Sequence, residues 1–138
     1  MIAYLDSSVI LRVVLRQPDH LKEWGKIRQG VASHLAEVEC LRALDRLRHN
    51  AKMSDQDLAL RREAVFRLLV ELNLVDLSKV VLSRASQPFP TPLGTLDAIH
   101  LATALLWRQQ REEELVMATH DAALSTAARA CGLPVVGM

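Results

Sequence analysis

The chain has 138 residues, a formal net charge of +1, and a composition that is 50% hydrophobic but only 4% aromatic. That is enough chain for one domain with a substantial core, and it suits a helix-rich α/β protein better than an all-β one. The near-neutral balance gives no global basic charge of the kind that marks a nucleic-acid binder, and two isolated cysteines make neither a disulfide framework nor a zinc pattern.

In chain order, Ile2-Ala3-Tyr4-Leu5 predicts a buried strand running straight into Asp6-Ser7-Ser8. Asp and Ser are favoured N-caps, so a short helix is expected over 9–16. The apolar run Val9–Leu15 is interrupted by Arg12 and has no basic stretch before it, so it reads as neither signal peptide nor membrane span. Pro18-Asp19 predicts a second helix through Trp24 to about Arg28, ended by Gly30. Val31-Ala32 predicts a minimal strand, and Ser33 the N-cap of a helix through His49. Ser54 with Asp57 three residues on resembles a capping box and opens a long amphipathic helix to about Glu71. A strand over 72–77 follows, and Ser78 caps a helix to about Ser86. Pro88, Pro90, Pro92 and Gly94 mark a loop. Thr95 to about Gln110 is the most apolar helix, 115–118 a strand, Thr119-His120-Asp121 a turn, and 122–131 a helix that Gly132 stops. A last short strand covers 134–136. No repeat, linker or low-complexity tract divides the chain, so a single domain over 1–138 is expected. Cys40 and Cys131 lie in apolar helical contexts and are expected to be reduced core residues of a cytoplasmic protein.

Strands alternating with helices imply a parallel sheet covered on both faces, a short central sheet flanked by helices. Ligands of such sheets bind in the crevice beyond the carboxyl ends of the strands. Asp6 and Asp121 directly follow strands on this reading, and Asp97 and Glu39 lie in the first turns of helices that start at the same edge. Carboxylates gathered there are what a hydrolytic Mg²⁺ or Mn²⁺ site requires.

Each acid also has a plainer reading. Asp6 and Asp121 suit turns or caps. Asp97 sits where Thr95 could cap a helix, and an acid in a first turn gains from the helix dipole. The stretch after it, 98–107, is apolar apart from His100 and Thr103, so Asp97 needs a cation, either a metal or a basic side chain. Glu39 shares a helical stripe with Leu35, Arg42 and Arg46, and an i,i+3 pair with Arg42 would explain it equally well. Glu37 borders the other side of the same face, and periodicity does not choose between the two. His100 reads as a satisfied core histidine or a substrate contact, and His120 as an exposed turn residue. Ser8 is either a hydrogen-bonding residue of the site or part of the turn. Arg42, Arg46, Arg48 and Lys52 in one helical stretch, and Arg61, Arg62 and Arg67 in the next, form a local basic surface or solvated helix faces.

Four segments carry a family resemblance: Tyr4-Leu5-Asp6-Ser7-Ser8, the stretch from Ser33 to Arg42, Leu96-Asp97-Ala98-Ile99-His100-Leu101-Ala102-Thr103-Ala104, and Thr119-His120-Asp121 running into Gly132-Leu133-Pro134-Val135. In this order and spacing, over essentially the whole chain, they resemble the PIN-domain ribonucleases, specifically VapC-type toxins of type II toxin–antitoxin systems. The resemblance implies a PIN-like three-layer α/β sandwich. It selects Glu39 over Glu37, because the family's helix acid follows the segment's Ser by six residues and precedes an Arg by three. It places Asp6, Asp97 and Asp121 on the other metal-site acids and Ser8 on the hydroxyl residue after the first Asp. Gly94 departs from the pattern, standing where many relatives carry Arg.

What the resemblance implies is a metal-dependent endoribonuclease using Mg²⁺ or Mn²⁺, with Asp6, Glu39 and Asp97 holding the principal metal and Asp121 completing the site. Arg42 and Arg46 are candidate contacts to RNA, such as tRNA or another structured RNA. A cognate antitoxin covering the crevice and a homodimer are also implied. The helices expected at 19–28 and 54–71 are amphipathic enough to offer an apolar groove, though the same faces would serve a core. Alternatives are a catalytically inactive PIN-like scaffold that binds RNA or protein, an aspartyl-phosphate protein, and a DNA-directed nuclease of the same fold. The aspartyl-phosphate reading lacks a second Asp two residues after Asp6 and any Lys after Lys79.

Overall fold

The strands fall close to where alternation places them: β1 (Ile2–Leu5), β2 (Gln29–Ser33), β3 (Asn73–Val75), β4 (Val116–Ala118) and β5 (Val135–Val136). In the computed structural model, which describes residues 1–50 and 53–138, they form one all-parallel sheet in the order β3-β2-β1-β4-β5. Around it lie α1 (Ser7–Val14), α2 (Leu35–His49), α3 (Asp55–Glu71), α4 (Lys79–Ala85), α5 (Thr95–Arg111) and α6 (Ala122–Ala130). Lys52, one of the basic residues noted above, lies outside the described residues.

Central β1 is buried at every position, as a strand covered on both faces must be. Its side chains alternate between two cores. Ala3 and Leu5 pack with Val9 and Ile10 of α1, Cys40 and Leu44 of α2, and Val65 of α3. Ile2 and Tyr4 pack with Leu101 and Trp107 of α5 and Leu124 and Ala128 of α6. Helix α4 lies against α5. The result is the expected three-layer arrangement.

Local chemistry sets the helix starts. Ser54 Oγ accepts from Asp57 N at 3.1 Å and Ser78 Oγ from Val81 N at 3.2 Å, the caps expected of both residues. At α5 the N-cap is Gly94, without a side-chain bond, rather than Thr95. Ser33 Oγ accepts from Leu35 N at 3.0 Å, although His34 holds the cap position of α2.

The second expected helix is a correction. Residues 18–28 are turns with a single 3-10 turn at Trp24–Lys26. Leu21, Trp24 and Ile27 all pack into the core of α1–α3, and Arg28 N already donates to Met1 O at 2.8 Å beside β1. The backbone must therefore be extended from Ile27 onward. Gly30 is not a helix stop but a buried strand residue, where a Cβ would stand 2.5 Å from Leu72 Cδ2 and 3.1 Å from Leu5 Cδ1. Both cysteines are free; Cys40 is buried, whereas Cys131 is only half-buried, at the end of α6.

Candidate active site

The strand order turns back on itself at β1. From there the chain proceeds to β2 and β3 on one side, and β4 and β5 lie on the other. Such a switch point opens a crevice between the carboxyl ends of adjacent strands, here β1 and β4. Asp6 follows β1 directly, and its N–H donates to Ala118 O, the last residue of β4, at 3.1 Å. Asp6 is buried, with 4% of its surface exposed, and its carboxylate is held from three sides. Oδ1 accepts from Ser7 N at 2.8 Å, while Oδ2 accepts from Ser8 Oγ at 2.7 Å and from Thr119 Oγ1 at 2.9 Å.

The turn after β4 is tied to the same carboxylate. Thr119 Oγ1 accepts from Asp121 N at 3.0 Å, and Ser8 Oγ accepts from His120 N at 3.0 Å. Asp121 caps α6 through Leu124 N, which donates to Oδ1 at 2.8 Å. For Asp6 and Asp121, then, the capping reading holds. Ser8 joins the two, and His120 is not exposed but half-buried, with Nδ1 2.7 Å from Gly137 O.

Glu39, one turn into α2, does not form the surface pair with Arg42. It turns inward, and its Oε1 lies 2.5 Å from Nε2 of His100. His100 is fully buried; its Nδ1 is 2.7 Å from the Tyr4 hydroxyl, and its Nε2 is 3.7 Å from Asp6 Oδ1. Burial pulls the imidazole down, but the hydrogen bond to Glu39 and the charges of Asp6, Glu39 and Asp97 outweigh it, so the net shift is upward. Arg42 and Arg46 are exposed on α2, and among the described residues neither makes a hydrogen bond or ion pair. On α3, by contrast, Arg61 pairs with Asp57, Arg67 with Glu63, and Arg62 lies over Phe66.

Asp97 is half-buried on the first turn of α5 and has no hydrogen-bond or ion-pair partner among the described residues. Its carboxyl is pushed up to about 6 by burial and by the nearby charges of Asp121, Asp6 and Glu39, with His100 opposing. All four acids thus share one electrostatic neighbourhood that, among the described residues, holds no lysine or arginine counter-charge. Among the described residues no three His, Cys, Asp or Glu side chains converge into a ready-made metal cluster. What they present is a set of hard oxygen donors with mutual repulsion to relieve. The oxygens that the described residues leave unclaimed, both on Asp97, Oε2 on Glu39 and Oδ2 on Asp121, are of the type that Mg²⁺ or Mn²⁺ takes.

A family model for the PIN domain matches residues 3–130. The chain belongs to the PIN domain family. This PIN domain is 36% identical over 137 residues to Ribonuclease VapC46 of Mycobacterium tuberculosis, covering 96% of this chain and 95% of the relative. It is 27% identical over 136 residues to Ribonuclease VapC47 of the same species, covering 94% and 91%. Among solved structures it resembles VapBC2 from Rickettsia felis bound to a DNA fragment from their promoter, with a TM-score of 0.68 at 12% identity, covering 98% of this chain and 97% of that one. A toxin–antitoxin complex from Klebsiella pneumoniae gives 0.67 at 16% identity, covering 99% and 96%. At these identities the two structures speak for the fold, which is the PIN fold expected from the four segments.

Two partners in the PIN domain's site escape a reading by charge and periodicity. Thr119 is a polar residue closing a strand, which alone suggests only a turn. Tyr4 is an aromatic in a buried strand, which suggests only core. The i,i+3 spacing of Asp97 and His100 on an otherwise apolar helix was the available signal that His100 faces the same edge.

Proposed function

We propose that this chain is an endoribonuclease toxin of the VapC type, dependent on Mg²⁺ or Mn²⁺, which hydrolyses phosphodiester bonds of a structured RNA and is held inactive by a cognate antitoxin. The observation that carries the metal-site reading is Asp97, a half-buried carboxyl with no ion-pair partner among the described residues, raised by burial and by three other acids drawn from three other segments of the chain, against the opposing charge of His100. The near-full-length likeness to a ribonuclease supports RNA as the substrate, and the neighbouring toxin–antitoxin structures support a protein inhibitor. We also read the chain as a single domain acting in the cytoplasm as a homodimer; among the described residues no helix is long and apolar enough to cross a membrane.

In this reading Asp6, Glu39 and Asp97 hold the principal metal, directly or through water, and Asp121 completes the set. A bound divalent ion supplies a water of lowered pKa and neutralises charge on the scissile phosphate. The protein's part is orientation. Asp6 is immobilised by Ser7, Ser8 and Thr119, so its remaining lone pairs point one way. Asp97, which has no hydrogen-bond or ion-pair partner among the described residues, brings the strongest demand for a counter-ion. Hydrolysis joins the water oxygen to phosphorus and breaks the bond to the leaving ribose oxygen, which takes up a proton. Arg42 and Arg46, whose side chains have no partner among the described residues, are candidate contacts to RNA phosphates, so affinity should fall with salt.

The test is cleavage of a panel of cellular RNAs by the purified protein with Mg²⁺ and with EDTA, beside Asp97→Asn. Discrete fragments only with metal and wild-type protein are expected. Intact RNA from a folded, antitoxin-free protein would favour an inactive binding scaffold or a DNA target.

A further inference from the structure

We propose that His100 is a positioning residue of the site: braced by the Tyr4 hydroxyl, it orients the Glu39 carboxylate and thereby sets metal affinity and turnover. This rests on the reading of Glu39 as a metal-site acid.

The observation is a buried three-residue chain in which both ring nitrogens are used. Nδ1 lies 2.7 Å from Tyr4 Oη and Nε2 lies 2.5 Å from Glu39 Oε1. The three residues come from three elements, β1, α5 and α2, and the two helices belong to cores on opposite faces of the sheet. The conformation of Glu39 is therefore set across layers rather than by its own helix. A histidine serving the core alone would need only a backbone carbonyl. This one is fully buried and ends on a carboxylate that remains 20% exposed, the outermost link of the chain.

The chemistry selects one direction. The Glu39 carboxylate can only accept, which puts the proton of a neutral imidazole on Nε2 and leaves Nδ1 to accept from the phenol; an imidazolium donates to Glu39 as well, its Nδ1–H then donating to the phenol oxygen. The same Nε2 stands 3.7 Å from Asp6 Oδ1, so one N–H lies between two of the acids. It holds Glu39 in place without taking up its other oxygen, while at 3.7 Å its link to Asp6 is electrostatic only. Outer partners of this kind orient ligating carboxylates, and their loss typically weakens metal binding by about 10–100-fold.

The experiment is Mn²⁺ titration of the RNA-free protein, followed by electron paramagnetic resonance, for wild type, Tyr4→Phe, His100→Ala and His100→Gln. RNA cleavage kinetics are measured on the same proteins. His100→Ala should weaken Mn²⁺ binding by about tenfold or more and lower kcat with KM little changed. Tyr4→Phe should do the same to a smaller extent, and His100→Gln, which keeps an N–H donor, should recover part of the loss. Mn²⁺ affinity within about twofold of wild type in both His100→Ala and Tyr4→Phe would overturn the proposal. If His100→Ala fails to fold, Tyr4→Phe decides, together with imidazole ¹⁵N resonances of the wild type. Those should show a proton on Nε2 that shifts upfield in Glu39→Gln; an unprotonated Nε2 overturns the proposal. A wild-type protein that binds no Mn²⁺ would remove the metal reading itself, whereas a wild type that binds and cleaves beside unaffected variants would remove only the role of His100.

Discussion

Thr119 Oγ1 donates to Asp6 Oδ2 at 2.9 Å, although 113 residues separate the two. The bond ties the turn after β4 to the carboxylate that ends β1, at the point where the strand order reverses. The hydroxyl also accepts from Asp121 N. One side chain therefore sets the spacing between two of the candidate acids.

Thr119→Val keeps the volume and removes both interactions. A hydrogen bond to a buried charged group contributes about 1.5–3 kcal/mol, so urea unfolding should show a loss near 2 kcal/mol. RNA cleavage should fall at least tenfold, since Asp6 and Asp121 lose their common anchor. Thr119→Ser should restore both. A Val variant of unchanged stability and rate would leave Thr119 with no part in the site.

Asp97→Asn separates catalysis from folding. Cleavage should drop by at least about 100-fold, because the acid with the greatest need of a counter-ion is gone. Metal-free stability should rise. The rise from 3.8 to about 6 would correspond to about 3 kcal/mol in a fully buried group. For a half-exposed group that is discounted for solvent screening to about 1 kcal/mol. Thermal unfolding in EDTA reads the gain, and a destabilised, fully active variant contradicts the assignment.

The pH dependence has a definite sign. The folded protein keeps the Asp97 proton up to about 6, against an ordinary value of 3.8. The stability this group contributes is full below about pH 4 and is lost as pH rises through 6. In EDTA, the advantage of Asp97→Asn over wild type should therefore be largest at pH 7 and shrink toward pH 4. With saturating Mn²⁺ the order should reverse at pH 7, because an ion that binds only the folded state at about 100 times its Kd adds about 2.7 kcal/mol.

Gly137 adopts φ +101, and a Cβ there would stand 2.5 Å from Thr119 O, a backbone atom that cannot swing aside. Gly137→Ala should cost about 1–2 kcal/mol from the left-handed backbone alone. It should also displace the Thr119–Asp121 turn, so cleavage falls more than stability accounts for. A variant with wild-type cleavage would show that the C-terminal residues are not coupled to the turn.

The alternation of short apolar runs with helical stretches was enough to place five parallel strands, because β1 is buried on both faces and its whole sequence is apolar. Caps were legible for the same local reason, as at Ser54 and Ser78. Residues 18–28 were not, since the helix signal at Pro18-Asp19 lost to the requirement that Arg28 lie beside Met1. Gly30 looked like punctuation and proved to be a packing contact with Leu72 and Leu5.

By itself the sequence determined the fold class and set four candidate carboxylates at one edge, because a parallel sheet brings every strand end and following helix start there; the choice of Glu39 over Glu37 came from the family resemblance. Which oxygens those acids keep free was decided only by tertiary structure. The bonds Thr119–Asp6, His100–Glu39 and Tyr4–His100 join residues 113, 61 and 96 positions apart. No periodicity of 2 or 3.6 reports on a contact that exists only after layers on opposite faces of the sheet have met at its edge.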